Sequence, residues 1–180
     1  MPSPYLNAMH DFATDPPIEA RVGEILEKAD ATVAVAESCT GGLIGSLLTD
    51  IPGASAYFDR SVVTYSYDAK LTALGVSREA LDDHGAVSKS VASEMAAGVR
   101  DTADVDWGVA TTGIAGPTGG TDAEPIGAAY IGVAYQGDWG SNESYRTVER
   151  TVFDGQRTAI KEQIARRALE LLCESVQEQP

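Results

Sequence analysis

The chain predicts an α/β fold. It reads as a single three-layer domain with a mixed, largely parallel sheet and an antiparallel hairpin towards the C-terminus. Three observations carry this. Short β-branched runs alternate with segments of helical apolar spacing through the first two thirds of the sequence. Two strand-like runs then succeed one another across a glycine turn, with a long helical pattern after them. Finally, 180 residues with no internal repeat and no linker suit one hydrophobic core.

Ile18, Val22, Ile25, Leu26 and Ala29 share one helical face, so the first helix follows the Pro16-Pro17 pair. A strand is expected at about Thr32–Ala36, and a second helix from Ser38 to about Thr49, broken by Ile51-Pro52-Gly53. Ala54–Asp59 reads as a short helix and Val62-Val63-Thr64-Tyr65 as a second strand. Asp68–Leu74 is a short helix closed by Gly75, and another starts at Ser77. Ser88 is placed to cap a helix whose apolar face is Val91, Ala92, Met95 and Val99. Trp107–Thr111 is a strand that enters a glycine-rich loop. Ala128–Tyr135 and about Glu143–Phe153 form the hairpin around the Gly137–Gly140 turn, and Asp154 is expected to cap the last helix. Residues 1–17 read as a disordered leader, and 18–180 as the folded domain.

The formal charge is −14, from 27 acidic and 13 basic residues spread along the chain. Nucleic acid and anionic membranes both need basic patches, so neither is expected as a partner. Scattered surface acid with few lysines suits a halophile-like protein working in concentrated salt. No apolar run approaches the ~20 residues of a membrane span. No secretory signal is seen either, so the expected compartment is cytoplasmic. Two cysteines, Cys39 and Cys173, make no disulfide framework, and Cys39 reads as a small buried residue.

Ala36-Glu37-Ser38-Cys39-Thr40-Gly41-Gly42 joins the first strand to the second helix. A hydroxyl there lies beside unpaired backbone N–H groups, a position that suits a nucleophile and a plain helix cap equally well. A nucleophilic serine needs a base. The two histidines are poor candidates: His10 is in the leader and His84 in a turn. Of the four lysines, Lys28, Lys89 and Lys161 lie in polar helical surroundings and read as exposed. Lys70 stands one turn after the second strand, on the sheet edge where α/β sites form; alone, it would read as a surface lysine. The loop through Gly113, Gly116, Gly119 and Gly120 also follows a strand, and its amides could cradle a phosphate. It matches neither a Walker motif nor a dinucleotide fingerprint. No compact His/Cys/carboxylate cluster offers a metal site, and no cofactor is expected.

The Ser38 segment, Val63-Thr64-Tyr65-Ser66 with Ala69-Lys70, His84-Gly85-Ala86-Val87-Ser88, and Gly113-Ile114-Ala115-Gly116-Pro117 with Gly119-Gly120 occur in this order. Together they closely resemble the C-terminal domain family of the competence/damage-inducible protein CinA, the nicotinamide mononucleotide deamidases, in a stand-alone form. The likeness runs from about Ile18 to Leu172. It implies hydrolysis of the carboxamide of nicotinamide mononucleotide (NMN) to nicotinate mononucleotide and ammonia, in pyridine nucleotide recycling. It implies Ser38 as nucleophile, Lys70 as its base, and Tyr65 and Thr112 as polar helpers. Amides near Cys39 and Thr40, with Gly41 and Gly42, would hold the oxyanion. The glycine loop and Arg157 would bind the nucleotide. The likeness allows a homodimer or larger homo-oligomer. Two other readings remain open on the sequence: a non-catalytic nucleotide-binding or regulatory module, and an amidase with another substrate. Three residues depart from the family pattern. Glu124 stands where relatives often carry lysine and would repel a phosphate. Tyr67 replaces a common asparagine, leaving Ser66 to cap the Lys70 helix, and Lys161 stands where arginine is frequent.

Overall fold

The computed structural model describes residues 11–179. His10 and the first part of the expected leader lie outside them. Within the leader's described part, the Phe12 N–H donates to Glu162. The order of elements is α1 (Ile18–Ala29), β1 (Val33–Glu37), α2 (Leu43–Thr49), a 3₁₀ turn (Ala54–Ala56), β2 (Phe58–Val63), α3 (Tyr67–Leu74), α4 (Arg78–His84), α5 (Lys89–Ala103), β3 (Trp107–Gly113), β4 (Ala128–Tyr135), β5 (Tyr145–Val152) and α6 (Arg157–Gln177).

The five strands form one sheet in the order β2-β1-β3-β4-β5. β1 pairs in parallel with β2 and with β3, while β3–β4 and β4–β5 are antiparallel. The sheet is therefore mixed, as expected, and the last two strands form the expected hairpin. β1 is buried on both faces, and its first four residues, Val33–Ala36, are an apolar run of the kind central parallel strands carry. Its alternate side chains feed two cores. Val33 and Val35 join Val109, Ile131 and the apolar faces of α1, α2 and α6. Ala34 and Ala36 join Ala110 and the apolar faces of α3, α4 and α5. The second core is built from small strand residues because α5 lies close on the sheet. A Cβ at Gly108 would fall 2.0 Å from the Ala96 carbonyl oxygen, so only glycine admits the helix there. α1 is fixed to α6 by a buried ion cluster, in which Arg166 donates to Glu19 and Glu162.

Four boundaries differ from the sequence expectation. The second helix starts at Leu43, not Ser38, because Gly41 and Gly42 adopt positive φ and Gly42 is its N-cap. Ala54–Asp59 is only a 3₁₀ turn, since Phe58 already pairs with Val33. The second strand ends at Val63, with Tyr65 beyond it. Asp154 does not cap the last helix. The N-cap is Gln156, which makes no side-chain cap bond, and the Asp154 carbonyl accepts from Gln163 instead. The cap expected at Ser88 is present, the helix expected from Ser77 starts at Arg78 with Ser77 as its N-cap, and Ser66 caps α3 through the Ala69 N–H.

Candidate active site

The parallel pairings bring the ends of β2, β1 and β3 to one edge of the sheet. Glu37 stands opposite Val63 on one side and Thr111 on the other. The ladder runs one step further: the Ser38 N–H donates to the Thr111 carbonyl at 3.0 Å, and the Thr64 N–H to the Glu37 carbonyl at 2.8 Å. Ser38, Thr64 and Thr112 are thus next neighbours across three strand ends. Strand alternation turns their side chains to the face packed by α3 and α5, two residues on from Ala36, Val62 and Ala110.

Lys70 comes to meet them. α3 begins immediately after the Thr64–Ser66 turn, and its fourth residue points back under the sheet edge. The side chain is fully buried, which replaces the surface position that the residue alone suggested. Its Nζ lies 3.1 Å from Ser38 Oγ, 2.6 Å from the Thr64 carbonyl oxygen and 3.4 Å from that of Tyr65. These three partners fit a neutral amine as well as an ammonium. A neutral amine has two N–H donors, which the two carbonyls take, and one lone pair, which can accept the Ser38 O–H. Burial pushes the Lys70 pKa below the ordinary lysine range, against a smaller opposing influence from Cys39. Cys39 supplies no fixed counter-charge, because burial drives its own thiol up to about 12 and keeps it protonated. The site therefore holds a lysine biased towards its basic form beside a serine hydroxyl.

Glu37, which the sequence reading passed over, builds the loop that presents Ser38. Its buried carboxylate accepts the N–H groups of Gly42 (2.9 Å), Ile44 (3.1 Å) and Gly45 (2.9 Å), and the Ser61 hydroxyl at 2.7 Å. It thus fills the start of α2 and ties it to β2. The donors expected beside Ser38 at a helix start are already spent. What remains are the backbone N–H groups of Cys39, Thr40 and Gly41, which carry no backbone hydrogen bond among the described residues. The turn is also tied to β3 by the Thr40 and Thr111 hydroxyls, 2.8 Å apart and buried.

The other expected site residues divide. Thr112 lies beside Ser38 as described, and its hydroxyl donates to the Ala86 carbonyl at 2.7 Å, joining the Gly85–Ser88 turn to the site. The Tyr65 carbonyl reaches Lys70, while its ring stays exposed with no side-chain partner among the described residues. The loop after β3 is pinned by the Ile114 N–H to the Ala128 carbonyl and the Gly127 N–H to the Ile114 carbonyl. Arg157, the first residue of α6, donates to the Gly116 carbonyl and so closes the loop onto that helix. Glu124 does not face the glycines. It accepts from the Tyr130 hydroxyl at 2.6 Å and from Arg150 at 3.2 Å, so its charge is matched. Thr64 Oγ1 is buried and has no hydrogen-bond partner among the described residues. Lys161, expected to be exposed, is half-buried. Among the described residues, no group of three His, Cys, Asp or Glu side chains is arranged to hold a metal ion. No helix among them is long and apolar enough to cross a membrane.

Fold and site together define an α/β domain with a buried serine–lysine pair at the carboxyl edge of its parallel strands. A family profile described as the CinA C-terminal domain matches residues 15–176, and the chain belongs to that family. It is 48% identical over 161 residues to a CinA-like protein of Chloroherpeton thalassium, covering 89% of this chain and 38% of that one. It is 48% identical over 156 residues to a CinA-like protein of Salinibacter ruber, covering 87% and 36%. The chain thus spans little more than a third of the length of these curated relatives. Among solved structures, the competence/damage inducible protein CihA of Agrobacterium tumefaciens superposes with a TM-score of 0.82 at 36% identity, over 89% of this chain and 94% of that one. A competence-damaged protein (CinA) superfamily protein of Klebsiella pneumoniae 700603 gives 0.82 at 31% identity, over 95% and 98%.

Proposed function

We propose that this domain is a serine–lysine amidohydrolase that converts NMN to nicotinate mononucleotide and ammonia, in pyridine nucleotide recycling. The observation that carries the reading is the fully buried Lys70 with Nζ 3.1 Å from Ser38 Oγ. A lysine placed only for binding or for surface charge would not be taken out of water, because burial disfavours its charged form.

The geometry supports the following steps. Neutral Lys70 takes the Ser38 hydroxyl proton as Oγ attacks the carboxamide carbon, giving a tetrahedral intermediate. The free N–H groups of Cys39 and Thr40 hold its oxyanion, and one such donor contributes about a hundredfold or more in rate. The Lys70 ammonium returns its proton to the amide nitrogen, the C–N bond breaks, and ammonia leaves an acyl ester on Ser38. Lys70, neutral again, removes a proton from water, which attacks the ester. Collapse releases the carboxylic acid and returns the hydroxyl proton to Ser38. No net charge or proton is left on the protein.

Glu124 gave the sequence its best argument for another substrate. Its pairing with Arg150 and Tyr130 removes that argument, since the Glu124 charge is already matched. The test is turnover: purified protein with NMN, at low and at molar KCl, assayed for ammonia and for nicotinate mononucleotide. Both products in equal amounts are expected, with rates that rise with pH as Lys70 loses its proton. Tight NMN binding without either product would point to a binding module and sink the proposal.

A further inference from the structure

Lys161 stands four residues after Arg157 on α6, and therefore on the same face of the helix. That face meets the turn carrying Ser38: a Cβ added to Gly41 would sit 3.6 Å from Lys161 Nζ. The side chain is half-buried. Among the described residues its ammonium has neither a hydrogen-bond acceptor nor a carboxylate partner. The contrast lies on the same helix, where Arg166 and Arg167 are held by Glu19, Glu162, Glu149 and Glu174. In a chain with 27 acidic residues, carboxylates are not scarce. A partly desolvated, unpaired cation costs free energy unless something else answers its charge. Arg157 is exposed, and its bond goes to a neutral carbonyl, that of Gly116, so among the described residues its charge too meets no carboxylate.

The usual place for a substrate anion after a parallel strand is closed here. The Glu37 carboxylate occupies the Gly42, Ile44 and Gly45 N–H groups, and a second anion there would be repelled. The uncompensated positive charge lies instead on α6, facing the Ser38 turn through Lys161 and the glycine loop through Arg157. We propose that Lys161 is the specificity-determining residue of this site: with Arg157 it receives an anionic group of the phosphate class on the substrate, and so selects phosphorylated over phosphate-free amides. The proposal rests on the amidase reading above and deepens it. Lysine suits the task as a compact point charge, whereas Arg157 has part of its guanidinium committed to the loop. Gly41 keeps the space in front of the ammonium open.

The experiment compares ammonia release from NMN and from its riboside, which lacks only the phosphate, for wild type, Lys161→Gln and Lys161→Arg. Glutamine is a good helix former, and thermal melting checks that the variants fold. The ratio of kcat/KM for NMN to that for the riboside should fall about ten- to hundredfold in Lys161→Gln, through KM for NMN, and should return in large part in Lys161→Arg. An unchanged ratio overturns the proposal. A second arm measures equilibrium binding of NMN to Ser38→Ala with and without Lys161→Gln. Binding that weakens tenfold or more without Lys161 sustains the subsite, even where wild type releases no ammonia and the amidase reading fails. Binding that is absent, or indifferent to Lys161, overturns the subsite while turnover by wild type leaves the amidase reading standing.

Discussion

Replacing Glu37 with glutamine tests how the nucleophile loop is held. One carboxylate oxygen accepts from Gly42 and Ile44, and the other from Gly45 and Ser61. An amide of the same shape keeps one acceptor oxygen, best placed towards Gly42 and Ile44. Its NH2 then faces Ser61, whose hydroxyl can rotate to accept, and the Gly45 N–H, which cannot. One buried backbone N–H is orphaned, at about 1–3 kcal/mol, and the two surviving bonds lose their charge assistance, roughly 1 kcal/mol each. The expected loss is about 3–5 kcal/mol, a large part of the ~5–15 kcal/mol that holds a typical domain together. Urea unfolding followed by circular dichroism should show the midpoint falling at unchanged m value. The melting temperature should drop by roughly 2–4 °C for each kcal/mol. In conditions where the variant is folded, kcat should fall far more than KM changes, because Ser38 is misplaced while the α6 cations are untouched. A stability loss below about 1 kcal/mol would refute the reasoning, since the four bonds would then not be holding the loop.

Lys70 has a depressed pKa in the folded state, so between that value and ~10.4 the unfolded chain binds more protons and stability rises with pH. Wild type should therefore gain stability relative to Lys70→Met as pH climbs towards ~10.4, read from urea midpoints; a constant difference would contradict burial of the lysine. Both cysteines are buried, with thiols pushed up to about 12 for Cys39 and about 11 for Cys173. A thiol reagent at pH 8 should leave the native protein unlabelled and modify two groups after unfolding. The charge of −14 should make stability rise with KCl as repulsion is screened, and a maximum near zero salt would show that the acidity is incidental.

Much of the fold was legible because helical periodicity and β-branched runs report burial directly. Ile18, Val22 and Leu26 face one core, and Val91, Met95 and Val99 the other. What failed to show were choices made by contacts distant in sequence. Nothing in Ser38–Gly42 says that Glu37 will fold back and claim the next turn's N–H groups, so the helix was begun at Ser38 instead of Leu43. The adjacent pair Gly41-Gly42 is the signal the sequence offers, since glycines disfavour a helix interior, and both adopt positive φ in the structure. Lys70 and Lys161 both read as surface lysines because their burial is created by the sheet edge and by α6, which no local pattern reports. Ser66 was readable as the cap of α3 because capping is local. The pairing of Glu124 with Arg150 was not, since 26 residues separate them.

The central claim is that Ser38 is the nucleophile of an amide hydrolysis driven by Lys70. Its most direct test is ammonia release from NMN by wild type and Ser38→Ala side by side, with melting curves to confirm equal folding. Removing one oxygen from a small side chain should leave the melting temperature within a few degrees and abolish measurable turnover. Turnover in Ser38→Ala at a rate near that of wild type would contradict it.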